Sequence, residues 1–199
     1  GSSYNFNDEL GNLLDRQGGV SLSDQLDFMN SSGLNVSKID LGGAGVEGKL
    51  TLSDTQATKL IDAGLSFAAD DTINLDVDTT ASTHLSTSLK DLQKLGVDAV
   101  AISGTEDAIN LDLGEGVLQL DAQGNLSLPT FGDLNGNGGI GTREDAALNV
   151  TLNVADGAQL LSVAGFAGEL AGVGIDNVQI NLAEGLDKNQ NYNAELRDL

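Results

Sequence analysis

Apolar residues recur along this chain at two alternating periods. Leu22, Leu26 and Met29 fall at helical spacing, as do Ala57, Leu60, Ile61 and Leu65, and then Leu85, Leu89 and Leu92. Each helical stripe is followed by a glycine and then by a β-branched, alternating run, the pattern of a strand. Gly33-Leu34-Asn35-Val36-Ser37-Lys38-Ile39-Asp40-Leu41 aligns with Gly174-Ile175-Asp176-Asn177-Val178-Gln179-Ile180-Asn181-Leu182. Gly96-Val97-Asp98-Ala99-Val100-Ala101-Ile102 is a third copy. Gly64-Leu65, leading through Asp71 to Ile73-Asn74-Leu75-Asp76, is a looser fourth. Gly33, Gly64 and Gly96 lie about thirty residues apart, which predicts one supersecondary unit per repeat.

The unit has a physical logic. Ser53-Asp54-Thr55-Gln56 has the form of a capping box, with Gln56 three residues after the cap. The repeat glycines fall where a helix must stop in a left-handed conformation. Strands are expected at Lys49 to Leu52, Asn149 to Val154 and 108–113. Further strands at 117–121 and 125–128 would pair as a hairpin about Ala122-Gln123-Gly124. Residues 158–173 are apolar nearly all round, which predicts a buried helix. The fold class expected is α/β: helix–strand repeats packing helices on a mixed sheet, with an elongated solenoid as the runner-up. The domain reading is a flexible or docking arm at 1–20, a repeat-containing domain at 21–185 and a polar tail at 186–199.

Charge and composition narrow the function classes. The chain has 199 residues, 30 acidic against 9 basic, for a formal net charge of −21. Such a polyanion repels nucleic acid and anionic membranes, and divalent cations would relieve its self-repulsion. Cysteine is absent, which excludes disulfides, thiolate zinc sites and cysteine nucleophiles. No run of 18 apolar residues predicts a membrane span, and no signal peptide is visible. Gly1-Ser2-Ser3 reads as a cloning remnant, and the chain as a piece of something larger.

The densest chemical signal is Asp133-Leu134-Asn135-Gly136-Asn137-Gly138-Gly139-Ile140-Gly141-Thr142-Arg143-Glu144. It fits the calcium-loop pattern D-x-[DN]-x-[DN]-G-x5-E at every specified position. Asp133, Asn135 and Asn137 would offer side-chain oxygens, Gly139 its carbonyl, and Glu144 a bidentate carboxylate. Gly138 sits at the sharp turn and Ile140 would anchor the loop to a core. Only two of these ligands carry charge, so the affinity expected is about 10⁻⁴–10⁻³ M, as in extracellular modules. Leu126, Leu128 and Pro129 make the entering segment extended, whereas residues 142–148 read as a short exiting helix. A loop followed by a single helix resembles the half-motif of dockerin modules, carrying over Asp133, Asn135, Asn137 and Glu144.

Other chemistry is sparse. His84 is the only histidine and reads as an exposed loop or cap residue. No nucleophile-elbow, P-loop or dinucleotide fingerprint is present. Asp70, Asp71, Asp76 and Asp78 form one acidic cluster, and Glu106, Asp107, Asp112 and Glu115 another. Both read either as solvated strand ends or as further calcium sites between repeats. Paired-carboxylate hydrolysis of a polysaccharide is a third reading, in a chain with few aromatic platforms for sugar.

The segment Thr83-His84-Leu85-Ser86-Thr87-Ser88-Leu89-Lys90-Asp91-Leu92-Gln93-Lys94-Leu95-Gly96-Val97-Asp98-Ala99-Val100 resembles repeats of very large acidic bacterial surface proteins. Those proteins leave the cell by type I secretion and include RTX-type and biofilm adhesins. The resemblance is one of style over residues 36–185; the nonapeptide Gly-Gly-x-Gly-x-Asp repeat is absent. It implies a secreted module that folds with calcium after export. The function expected is therefore non-enzymatic: a calcium-stabilised extracellular module for adhesion, surface-layer assembly or a stalk. The alternative is a calcium-dependent carbohydrate- or protein-binding module. Partners expected are Ca2+, a cell-surface glycan or protein, or neighbouring copies of the chain.

Overall fold

In a computed structural model, residues 31, 33, 37–42, 45–103, 106, 108–133 and 149–181 are described. Nine strands and four helices alternate among them: β1 (Lys38–Ile39), β2 (Lys49–Ser53), α1 (Asp54–Asp62), β3 (Ser66–Phe67), β4 (Thr72–Asp78), α2 (Leu89–Leu95) and β5 (Ala99–Ser103). They continue with β6 (Ala108–Asp112), β7 (Thr130–Asp133), β8 (Asn149–Val154), α3 (Gly157–Gly165), α4 (Ala167–Gly172) and β9 (Asn177–Ile180). The fold is α/β, as the sequence predicts. The sheets differ from the mixed sheet expected, because every strand pair is parallel. Neighbouring strands belong to successive passes of the chain, so each enters its sheet in the same direction.

Three sheets result, in the orders β1-β3, β2-β4-β5-β7 and β6-β8-β9. An isolated parallel bridge from His84 to Asn110 extends the last sheet by one position. Like residues stack in register. Leu52, Leu75, Val100 and Phe131 form one ladder across the four-stranded sheet, all buried. Leu111 and Leu152, both fully buried, form another in the three-stranded sheet. Both ladders belong to a single apolar core that also takes Leu60, Leu89, Leu92 and Leu95 from the helices. These parallel sheets do not by themselves make an elongated solenoid.

The repeat glycines do what the pattern predicts. Gly96 has φ +90° and Gly174 φ +96°, the left-handed region where a side chain would be strained. The residue after each glycine donates its N–H to a carbonyl five residues back: Leu65 to Leu60, Val97 to Leu92, Ile175 to Leu170. This is a Schellman stop, and its accompanying apolar contact is satisfied by buried residues at both ends of each bond. The capping box at Ser53 forms in both directions: Gln56 N–H donates to Ser53 Oγ at 3.2 Å, and Ser53 N–H to Gln56 Oε1 at 3.0 Å.

Two expectations are corrected. Residues 158–173 form two helices that meet at Phe166, where φ is −123° and no side chain caps the second. Glycines at 165, 168 and 172 weaken helix propensity there. Nor is the pair buried all round: Gln159, Val163 and Leu170 face the core, while Leu161 is 42% exposed. Residues 117–121 and 125–128 form no strands. They do turn back at 121–125, where Asp121 N–H donates to Asn125 O at 2.8 Å. The flanking residues instead bond helices: Leu118 N–H donates to Ser162 Oγ at 3.0 Å, and Gln93 Nε2 donates to Ser127 O. This extended stretch lies between β6 and β7, where the other passes carry a helix.

Candidate functional site

The chain crosses from the four-stranded to the three-stranded sheet three times. The first crossing, from β4 to the His84 bridge, uses residues 79–83. The second, from β5 to β6, uses 104–107. The third, from β7 to β8, uses 134–148. The starts and ends of the last two lie side by side, because Ile102 pairs with Asp133 and Ala108 pairs with Asn149. Between those register partners, five residues bridge the gap that fifteen bridge in the next pass. The calcium-loop pattern occupies the surplus.

Of the ligands expected, Asp133 is the last residue of β7. Asn135, Asn137, Gly139 and Glu144 lie outside the described residues, as do the short exiting helix, the arm at 1–20, the stripe Leu22–Leu26–Met29 and the tail at 186–199. The structure thus fixes where the loop departs and returns.

Part of the acidic clusters takes hydrogen-bonding roles; Asp107 lies outside the described residues. Asp71 is buried, and its two oxygens accept from Leu41 N–H and Gly48 N–H, each at 3.0 Å, closing the turn that precedes β2. Asp76 Oδ1 accepts from Ser103 Oγ at 3.3 Å. Asp78 Oδ1 accepts from Thr80 N–H at 2.9 Å, inside the first crossing. The Thr80 hydroxyl and then its N–H hold the Asp78 carboxyl below the usual carboxylate range. Beside it, buried Thr79 donates to Ser103 O at 2.8 Å and to Glu106 O at 2.9 Å, tying the first crossing to the second. Among the described residues no three carboxylates or histidines converge as a metal cage.

His84 is exposed, as the sequence suggests. Its Nε2 lies 3.3 Å from Asp112 Oδ2, and the other Asp112 oxygen accepts from Asn153 Nδ2 at 3.3 Å. Both side chains of the His84–Asp112 pair are more than half exposed, so the pair contributes little to stability. A groove of about 770 Å³ runs beside it between α2 and residues 112–127. Lys90, Lys94, Asp91, Glu115 and Asp121 line it with mixed charge. Lys90 donates its ammonium to the Glu115 carbonyl. The groove is open, and no aromatic residue lines it.

One set of polar residues was aligned in the sequence without its role being evident. Two residues after the helix-stopping glycine, Asp98 donates its N–H to Ile73 O at 2.8 Å and accepts Ile73 N–H on Oδ2 at 2.8 Å. Asp176 does the same with Val150, at 2.9 and 3.0 Å. Each aspartate clasps both backbone groups at the start of the neighbouring strand. The Gly–apolar–Asp spacing at 96–98 and 174–176 carries the signal. Ser66, two residues after Gly64, keeps only the backbone half, with N–H to Ser37 O at 3.1 Å, and adds a hydroxyl bond to the same carbonyl.

With this geometry in hand, the chain matches no protein family, no curated protein and no solved structure. No helix among the described residues is long and apolar enough to cross a membrane.

Proposed function

We propose that this chain is a non-enzymatic, calcium-stabilised module of a secreted bacterial surface protein, serving adhesion, surface-layer assembly or a stalk. The observation that carries the calcium reading is the third crossing. A gap that five residues span next door is given fifteen, and twelve consecutive residues beginning at Asp133 match a calcium loop. Connections this long are uncommon in compact folds and are usually either functional loops or linkers, and the ligand pattern favours the first. The secreted, bacterial-surface setting rests on the resemblance of residues 83–100 to repeats of acidic type I-secreted proteins and on the charge of −21.

The mechanism is linkage. An ion that binds only the folded chain stabilises it by RT ln(1 + [Ca]/Kd), about 1.4 kcal/mol at ten times Kd. Bound at 133–144, calcium would fasten β7 to β8 and so join the third pass to the two before it. The test is isothermal calorimetry on Glu144→Gln. Loss of one charged, bidentate ligand is expected to weaken calcium binding at least tenfold, about 1.4 kcal/mol, with the melt in chelator unchanged. Equal affinity in the two proteins would remove Glu144 as a ligand.

A further inference from the structure

Among the described residues, the three-stranded sheet ends at β9. Leu111 and Leu152 are fully buried, yet Val178, the next residue in that ladder, is 42% exposed. Ile180 is 37% exposed beside Val154, which is 1% exposed. Every residue of β9 is exposed, and its outer backbone edge pairs with no strand among the described residues. The edge carries none of the usual blocks: Asn177-Val178-Gln179-Ile180 has no proline, lysine or bulge. Alongside it lies a groove of about 390 Å³ walled by Leu160, Val163, Ala167, Leu170 and Ala171 from α3 and α4.

Charge indicates what can approach this face. Residues 157–181 contain only Glu169 and Asp176, and no lysine or arginine, in a chain with 30 acidic residues. Two copies of a −21 polyanion repel each other over most of their surface. In this stretch charges are few, so that repulsion is reduced, and an unblocked strand coincides with an apolar groove. A strand edge also supplies its own complement, since two copies related by a two-fold axis can pair β9 with β9 antiparallel.

We infer that β9 and the α3–α4 groove form a self-association surface, on which a second copy of this chain docks edge to edge and joins two three-stranded sheets into one. This surface is independent of the calcium reading, so the test is run in chelator. Sedimentation of the full chain over a range of concentrations should show a reversible monomer–dimer equilibrium. Val178→Asp, which would bury an unpaired charge, should weaken association by about tenfold or more. Val46→Asp, at another exposed apolar residue, ahead of β2, should leave it unchanged. Because the chain has no cysteine, Gln179→Cys gives a second readout that does not depend on Val178→Asp folding. A short bis-maleimide should cross-link Gln179→Cys into dimers and leave Val46→Cys monomeric. A chain that stays monomeric at every concentration overturns the inference, whether residues 182–199 or some other partner covers β9. So does a dimer that Val178→Asp leaves intact, or cross-linking equal at both cysteines.

Discussion

The second and third sheet crossings leave and arrive at neighbouring positions, yet between register partners one uses five residues and the other fifteen. The first, with five, sides with the second. The short crossings are fastened by the fold's own groups: Thr79 holds the carbonyls of Ser103 and Glu106, and Asp78 holds Thr80. Joining the sheets therefore does not require length. Whatever 134–148 contributes has been added to a connection that already worked twice, which separates the framework from its adaptation.

The largest effect should test whether that framework is uniform. Leu111 in β6 lies beyond the second crossing and Leu152 in β8 beyond the third; they are register partners, and both are fully buried. Leu111→Ala and Leu152→Ala should each cost about 2–5 kcal/mol by denaturant unfolding. If the two passes are equally well seated, the costs agree and neither depends on calcium. A much smaller cost at Leu152, restored by calcium, would mean that the long crossing leaves β8 loosely docked until the ion binds.

The aspartate clasps sharpen the same comparison at lower energy. Asp98 seals the start of β4 and Asp176 the start of β8. Alanine at either removes the acceptor for a strand N–H, which should cost about 1–3 kcal/mol. Hydrogen exchange should show Ile73 deprotected in Asp98→Ala and Val150 in Asp176→Ala, each leaving the other amide protected. Global loss of protection in either variant would contradict a local clasp.

The third test exchanges the crossings. Replacing residues 134–148 by the five residues 103–107 should keep the fold in chelator. Shortening the loop should raise stability by about 1 kcal/mol through a smaller closure entropy. The calcium-dependent rise in melting temperature should disappear. A grafted chain that no longer folds would show that the insertion carries structure the framework needs.

Much of this framework could be read from the sequence because its signals are local. The capping box at Ser53, the left-handed glycines at 96 and 174, and the strand at Asn149 to Val154 depend on residues a few positions apart. The failures are tertiary. Leu118 and Leu120 alternate like a strand, but that stretch bonds to Ser162 and its neighbour Ser127 to Gln93, so helices replace strand partners. Residues 158–173 look buried all round because a sequence does not reveal that the stack ends beside them. Parallel pairing was equally hidden, since register joins residues some 23 to 41 positions apart. At the candidate site, the ligand pattern was visible in the sequence. That it occupies a surplus emerged only when the neighbouring crossing supplied a ruler.

The smallest effect separates the two kinds of crossing by pH. The Thr80 hydroxyl and N–H hold the Asp78 carboxyl below its ordinary range. A carboxylate with a depressed folded-state pKa stabilises the fold above the unfolded value, about 3.9, and loses that contribution as pH falls through the folded one. Asp78→Ala should therefore melt slightly lower than the parent at pH 7, and the difference should close near pH 2. Because Asp78 is exposed, the difference should be small. It should also be the same in calcium and in chelator, since Asp78 bonds to its own crossing. Glu144→Gln should behave in the opposite way, differing from the parent in calcium and matching it in chelator. If Asp78→Ala changed the calcium response, the first crossing would have to share the ion's site, and the division between a self-fastened crossing and a metal-fastened one would fail.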